Sequence, residues 1–198
     1  WTVTFTNEIS GLTAANFALA VSGLGGDPAI TSIVPLDPLP ADTWIVTAST
    51  GAGEGTIGLN LVNSLNLSRT PVNIPFAGQT YNIDQTPPGV VVSAPTPAVT
   101  VNGPVSYTVT YIGASVITLN VADVILNTTY TAQVGSINVS GVGNTRIVTL
   151  SSISGTGTIG ISIQPGTAQD PAGNVAGAAG PSVPFRTANY ATVLNEDD

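Results

Sequence analysis

Apolar and polar residues alternate with a period of two along nearly the whole chain, and this constrains the fold more than any other feature. Trp1, Val3 and Phe5 alternate with Thr2, Thr4 and Thr6; Ile57, Leu59 and Leu61 alternate with Thr56, Gly58 and Asn60. Tyr107, Val109 and Tyr111 follow the same rule, as do Ile159, Ile161 and Ile163. Successive side chains of a strand point to opposite faces, so this pattern predicts half-buried antiparallel strands with one face turned inward. β-Branched residues dominate the strand runs, and Gly, Pro, Asn and Asp interrupt them about every ten residues. No stretch carries a helical stripe of three turns. The expected fold class is all-β.

The strands are also repeated. Thr2-Val-Thr-Phe5 matches Thr108-Val-Thr-Tyr111, Ile45-Val-Thr47 matches Ile147-Val-Thr149, and Gly55-Thr-Ile-Gly58 matches Gly157-Thr-Ile-Gly160. Pro75-Phe76 further matches Pro184-Phe185, and Tyr81 matches Tyr190. A period of roughly 105 residues with about seven strands is the size of one β-sandwich domain, so the chain is expected to hold two, over residues 1–84 and 85–198. The seam falls at Asn82-Ile-Asp-Gln-Thr-Pro-Pro88, where two prolines fix φ and stiffen a short linker. The second copy has a run ahead of its Tyr107 strand, Val90–Ala94 and Val99–Val101, broken by Pro95 and Pro97. The first has no counterpart ahead of Trp1, so its opening strand is expected to be lacking, leaving unpaired backbone and a groove into its core. This reads as a piece of a longer polypeptide, with the gap filled by upstream residues or by another chain.

Composition removes several chemistries. The chain has no His or Cys and only three basic residues, Arg69, Arg146 and Arg186. A Ser-His-Asp or Cys-His nucleophile, a Schiff-base lysine, a P-loop lysine and a His/Cys zinc site are therefore all impossible. A net charge of −8 with so few cations repels phosphate backbones, so no nucleic-acid partner is expected. The mean hydropathy of +0.36 argues against disorder. Thr, Ser, Gly and Asn break every apolar run well short of the ~20 residues of a membrane-spanning helix, and no signal peptide is present. Few aromatics argue against an outer-membrane barrel with two girdles. The 11 acidic residues are scattered about one per loop, with Asp197 and Asp198 in an acidic tail, so no paired-carboxylate enzyme is expected. Asn66, Asn127 and Asn138 open N-x-S/T sequons, which arise by chance in a chain this rich in Asn, Ser and Thr.

The run Val3-Thr-Phe-Thr-Asn-Glu-Ile-Ser-Gly-Leu-Thr-Ala-Ala-Asn-Phe17 resembles the opening of bacterial Ig-like repeats, which occur in tandem in large surface proteins and adhesins. Tyr81-Asn-Ile-Asp-Gln-Thr-Pro-Pro88 is similar to their inter-repeat linker, and Asp170-Pro-Ala-Gly-Asn174 to a late loop. The resemblance covers nearly the whole chain. It implies two immunoglobulin-like sandwiches in an extracellular, cell-surface, non-enzymatic module that spaces, stiffens or adheres. The first copy departs from the pattern: Asn63–Asn73 stands where the late Asp-x-Ala-Gly-Asn loop is expected.

In such a sandwich, linker Asp84 would approach Asp123 and the Asp170/Asn174 loop of the second copy. A calcium ion, which takes several oxygen ligands on adaptable loops, could hold that junction. The alternative is a plain turn: Asp170 opens it, Pro171 presets φ and Gly173 takes positive φ, while Asp123 bonds nearby amides. Trp1, Trp44, Tyr107, Tyr111, Tyr130 and Phe185 read as core or half-core residues before they read as a sugar platform. Three functions compete: a stiff spacer in a stalk or fibre, a filament subunit joined head-to-tail by strand donation from the tail after Phe185, and an adhesin that grips glycan or a surface protein by its loops. The partners implied are neighbouring domains, copies of the same chain, a glycan or a surface protein.

Overall fold

The computed structural model describes residues 1–188. The Tyr190 match and the acidic tail at Asp197 and Asp198 lie outside the described residues. The chain divides into two compact units, Trp1–Thr86 and Pro87–Asp198. Both are built from mostly antiparallel strands, and the helical content among the described residues is two three-residue 3-10 turns, Ala14–Asn16 and Val121–Asp123. No helix among them is long and apolar enough to cross a membrane.

The first unit holds β1 (Thr2–Ile9), β2 (Phe17–Ser22), β3 (Ala29–Pro35), β4 (Ala41–Ser49), β5 (Gly55–Leu61) and β6 (Phe76–Ile83). They form two three-stranded sheets, β1-β4-β3 and β2-β5-β6. Trp44 and Val46 of the first sheet share a buried apolar cluster with Phe17, Leu59 and Leu61 of the second, so the sheets face each other as a sandwich. The alternation read from the sequence is what gives each sheet one apolar face for this packing.

The second unit has β7 (Gly89–Val92), β8 (Val99–Thr100), β9 (Val105–Ile112), β10 (Val116–Ile117), β11 (Val124–Thr128), β12 (Gln133–Ser140), β13 (Thr145–Ser154), β14 (Gly157–Ile163), β15 (Ala168–Gln169) and β16 (Phe185–Thr187). Two four-stranded sheets run β12-β13-β9-β7 and β11-β14-β16-β8, beside a small β10-β15 pair. Tyr107, Val109, Val148 and Leu150 of one face Ile159, Ile161, Ile163 and Phe185 of the other in a single cluster.

The repeat extends to register. Thr2 pairs with Ile45 and Val3 with Trp44 in the first unit; Thr108 pairs with Ile147 and Val109 with Arg146 in the second. Phe17 pairs with Leu61 as Val124 pairs with Ile163. The last strand departs from the sequence matching. Ile57 and Ile159 are equivalent, yet Ile57 pairs with Tyr81 and Ile159 with Phe185. Tyr81 therefore occupies the place of Phe185, and the Pro-Phe match at Phe76 marks chemistry rather than position. Different loop lengths ahead of the strand shift it while its pairing partner stays fixed.

One glycine recurs for a visible reason. A Cβ on Gly55 would strike the carbonyl oxygen of Ser22, and one on Gly157 that of Thr129. Gly157 also has φ +147, which side chains disfavour. The backbone approaches so closely here that the Gly-Thr-Ile-Gly motif keeps its first residue in both copies.

Besides the β10-β15 pair, the units differ in their outer strands. In the second, β7 pairs along β9, with Val90 opposite Tyr111 and Val92 opposite Val109, and β8 pairs in parallel with β16. In the first, β1 and β6 are the outer strands of their sheets.

Candidate functional site

The four residues expected to gather around a cation are placed in three local arrangements. Asp84 belongs to the first unit, where its carboxylate accepts the Thr86 amide at 3.0 Å in an Asx turn. Asp123 closes a 3-10 turn: its Oδ2 accepts the Asn120 amide at 2.9 Å and the Asn120 side-chain amide at 2.7 Å. Asn120 in turn accepts the Ala122 amide at 2.8 Å. This is a reciprocal capping arrangement that satisfies the free donors of the turn. The first unit builds it with a neutral residue, Asn16, whose Oδ1 accepts the Thr13 amide at 2.9 Å. Thr13-Ala-Ala-Asn16 and Asn120-Val-Ala-Asp123 are therefore one motif twice, a match visible in the sequence only once the N-cap and third positions are compared.

Asp170 and Asn174 are brought together. Asp170 is buried, and its two oxygens accept the Asn174 amide at 2.9 Å and the Asn174 side-chain amide at 2.8 Å. The Asn174 side-chain bond, helped by backbone amides and opposed by burial, holds the Asp170 carboxyl below the ordinary aspartate range. No group of three or more acidic side chains gathers among the described residues. Calcium takes six to eight oxygens as a rule, so the Asp170/Asn174 turn by itself supplies too few of them.

A second feature is an apolar groove of ≈ 610 Å³ in the first unit, open between the outer strands β1 and β6. Its walls include Val3 and Phe5 of β1, Phe76 and Tyr81 of β6, Leu61 between them, and the loop from Arg69 to Asn73. Arg69 is the one charged residue in that wall. Trp1 crosses the gap at one end. Its indole N–H donates to the Gln79 carbonyl at 2.8 Å, and its ring meets Tyr81 edge-on at 5.6 Å.

Equivalent positions in the second unit are covered. Tyr107, Val109 and Tyr111 are buried, whereas Trp1, Val3 and Phe5 are only half-buried. Phe185 is 0% exposed, and Tyr81, which occupies the same register, is 42% exposed. Val90 and Val92 of β7 pack on the second unit's core. The covered tyrosines are also fixed: the Tyr107 hydroxyl donates to the Ile159 carbonyl at 3.0 Å and the Tyr111 hydroxyl to Thr167 Oγ1 at 2.8 Å. Burial pushes both phenols above their ordinary pKa, opposed at Tyr107 by hydrogen bonds with Ser182 and the Phe185 backbone, and at Tyr111 by the Thr167 bond and the Arg146 charge.

The sequence placed Trp1, Trp44, Tyr107, Tyr111 and Phe185 in or near the cores, and this is where they lie. Tyr130 instead is 95% exposed with positive φ. Phe76, Tyr81 and Val72 were not singled out as a surface. Their signal was relational: each is apolar, yet nothing in the first copy corresponds to the strand that would cover them. Compared with known protein families, curated proteins and solved structures, the chain matches none of them.

Proposed function

We propose that the chain is a pair of immunoglobulin-like sandwich modules from an extracellular bacterial surface protein, working as a spacer in a stalk or fibre. The observation that carries this reading is the strand order of the second unit. The β7-β9-β13-β12 sheet follows the A-B-E-D order of such domains, and β11-β14-β16 follows C-F-G. The first unit repeats the B, C, D, E, F and G positions in the same register. Two copies with separate cores suit a job done by shape and mechanical resistance. Pro87 and Pro88 limit the backbone freedom of the link. The lack of His, Cys and Lys removes the usual nucleophiles and bases, which favours a mechanical over a chemical role.

Single-molecule stretching tests the reading. Each unit should unfold in its own step, with a contour length of roughly 300 Å for residues 1–86 and roughly 360 Å for residues 87–188 at ~3.5 Å per residue. One merged step, or extension without a resolvable force peak, would overturn it.

A further inference from the structure

The two copies treat one edge of the sandwich in opposite ways. β3 is an outer strand of the first unit and β12 of the second, and they correspond by register: Val34 pairs with Ile45 where Ser140 pairs with Ile147. Each follows an outer strand of the facing sheet, β2 or β11. In the first unit this stretch is guarded. Residues 17–43 carry Asp27, Asp37 and Asp42 together with Pro28, Pro35, Pro38 and Pro40, and β3 slips register between Ile30 and Ser32. Charges, prolines and bulges are the usual means by which an outer strand is kept from pairing with another chain. In the second unit these guards are missing. Residues 124–145 hold neither a charged residue nor a proline, and β12 keeps one register against β13 from Gln133 to Ser140.

The free backbone groups of β12 follow from the ladder. The Tyr111 amide donates to the Asn144 carbonyl, so β13 bonds β9 through its even-numbered residues and β12 through odd-numbered ones such as Ile147 and Thr149. Their partners on β12 are Ser140 and Asn138. The N–H and C=O groups of Gly135, Ile137 and Val139 therefore point away from the sheet. The most exposed large apolar side chains among the described residues of this unit flank that row. Tyr130, 95% exposed and held at φ +52, precedes β12, and Val142, 86% exposed, lies in the hairpin after it.

We infer that β12 is a self-association edge, at which a second copy of this chain pairs antiparallel about a two-fold axis through Ile137. In that register the free groups of Ile137 meet those of its counterpart, Gly135 meets Val139, and Ser136 lies opposite Asn138, so every outward donor faces an outward acceptor. Tyr130 then comes level with the copy's 141–144 hairpin, which carries Val142. Charge favours a second copy as the occupant. Two chains of net charge −8 repel wherever carboxylates face each other, and residues 124–145 bring none to the joint. Pairing would join two four-stranded sheets into one. The inference rests on the edge of the second unit and not on the spacer role, so either can fail without the other.

The test is sedimentation of the full chain from micromolar to millimolar concentration, with amide exchange followed at each concentration. The expected result is a reversible monomer–dimer equilibrium in which the amides of Gly135, Ile137 and Val139 exchange at least tenfold more slowly at the highest concentration, while those of β3 do not change. Ser136 and Asn138 are exposed, so lysine at both leaves the fold intact and sets lysine against lysine across the joint. The Ser136→Lys, Asn138→Lys variant should dimerise at least tenfold more weakly with an unchanged melting midpoint, and Tyr130→Ser should weaken the dimer as well. Mixing the lysine variant with a Ser136→Glu, Asn138→Glu variant should restore a heterodimer, a recovery that altered folding would not give. A chain that stays monomeric at millimolar concentration, association that the lysine pair leaves untouched, failure of the mixture to pair, or protection arising at another edge would overturn the assignment.

Discussion

The two units carry one plan and differ in how well it is closed. In the second, Tyr107, Val109, Tyr111 and Phe185 are sealed by β7 and β8; in the first, Trp1, Val3, Phe5 and Tyr81 stand at an open edge. The register of the inner strands is the same in both. The difference goes with the outer β7–β8 segment and with the β10-β15 pair and late loop that hold the two tyrosine hydroxyls; together they turn half-buried residues into core. Hydrophobic stabilisation scales with apolar area removed from water, so the second unit should gain more from each equivalent side chain.

The sharpest way to break this comparison is truncation at the equivalent position in each unit. Phe185→Ala empties a fully buried site and should cost about 3–5 kcal/mol, while Tyr81→Ala should cost about 1 kcal/mol, read by denaturant melts that separate the two transitions. Equal costs would show that the groove is not open in solution. A smaller effect probes what the copies share. Gly157→Ala and Gly55→Ala both push a methyl into a carbonyl, and each should cost about 1–3 kcal/mol, the former more because of its positive φ. A loss in one unit only would mean that the close backbone approach at the start of the Gly-Thr-Ile-Gly strand is not common to both.

Next comes the pair of hydroxyls that the first unit lacks, having Trp1 and Phe5 at those places. Tyr107→Phe removes the donor to the buried Ile159 carbonyl and to the partly buried Val183 carbonyl and should cost about 1–2 kcal/mol. The same phenols sharpen the comparison through pH. Their folded pKa values lie above the ordinary value of 10.0, so the unfolded chain loses these protons first. Stability from them is fully present below that value and falls as pH rises beyond it. The second unit's melting midpoint should drop above about pH 10, and the drop should shrink in a Tyr107→Phe, Tyr111→Phe double variant.

Asp170 gives the smallest effect, with the opposite sign. Its folded pKa is depressed below the ordinary 3.8, so its contribution is present above that value and is lost as pH falls toward the folded one. Asp170→Asn should remove this part of the acid dependence of the second unit's melt. With Asp123 and Asp170 each engaged in its own turn, excess calcium should leave the second unit's midpoint unchanged, because a ligand shifts a melt only by binding the folded form.

Much of this was written in the alternation. Period-two runs located β1, β5, β9 and β14, and the Thr-Val-Thr and Gly-Thr-Ile-Gly matches gave the repeat, because side chains facing a core between two sheets must alternate. The last strand was misaligned because Pro-Phe recurs after loops of different length, and only pairing with Ile57 and Ile159 reveals that Tyr81 and Phe185 correspond. The site residues were legible by type but not by role. Asp123 reads as an isolated loop acid until its distance of three residues from Asn120 is seen as a cap. The groove was legible only as an absence, since exposure of Phe76 or Val72 depends on a neighbour rather than on the residue itself.

Residue-resolved amide hydrogen exchange tests the central claim most directly. Alternate amides of β1 across Thr2–Asn7 should exchange with little protection on their outer side, while amides of β9 across Thr108–Ile112, held between β13 and β7, should be protected to near the global stability of the second unit. Equal protection of the two strands would contradict the account.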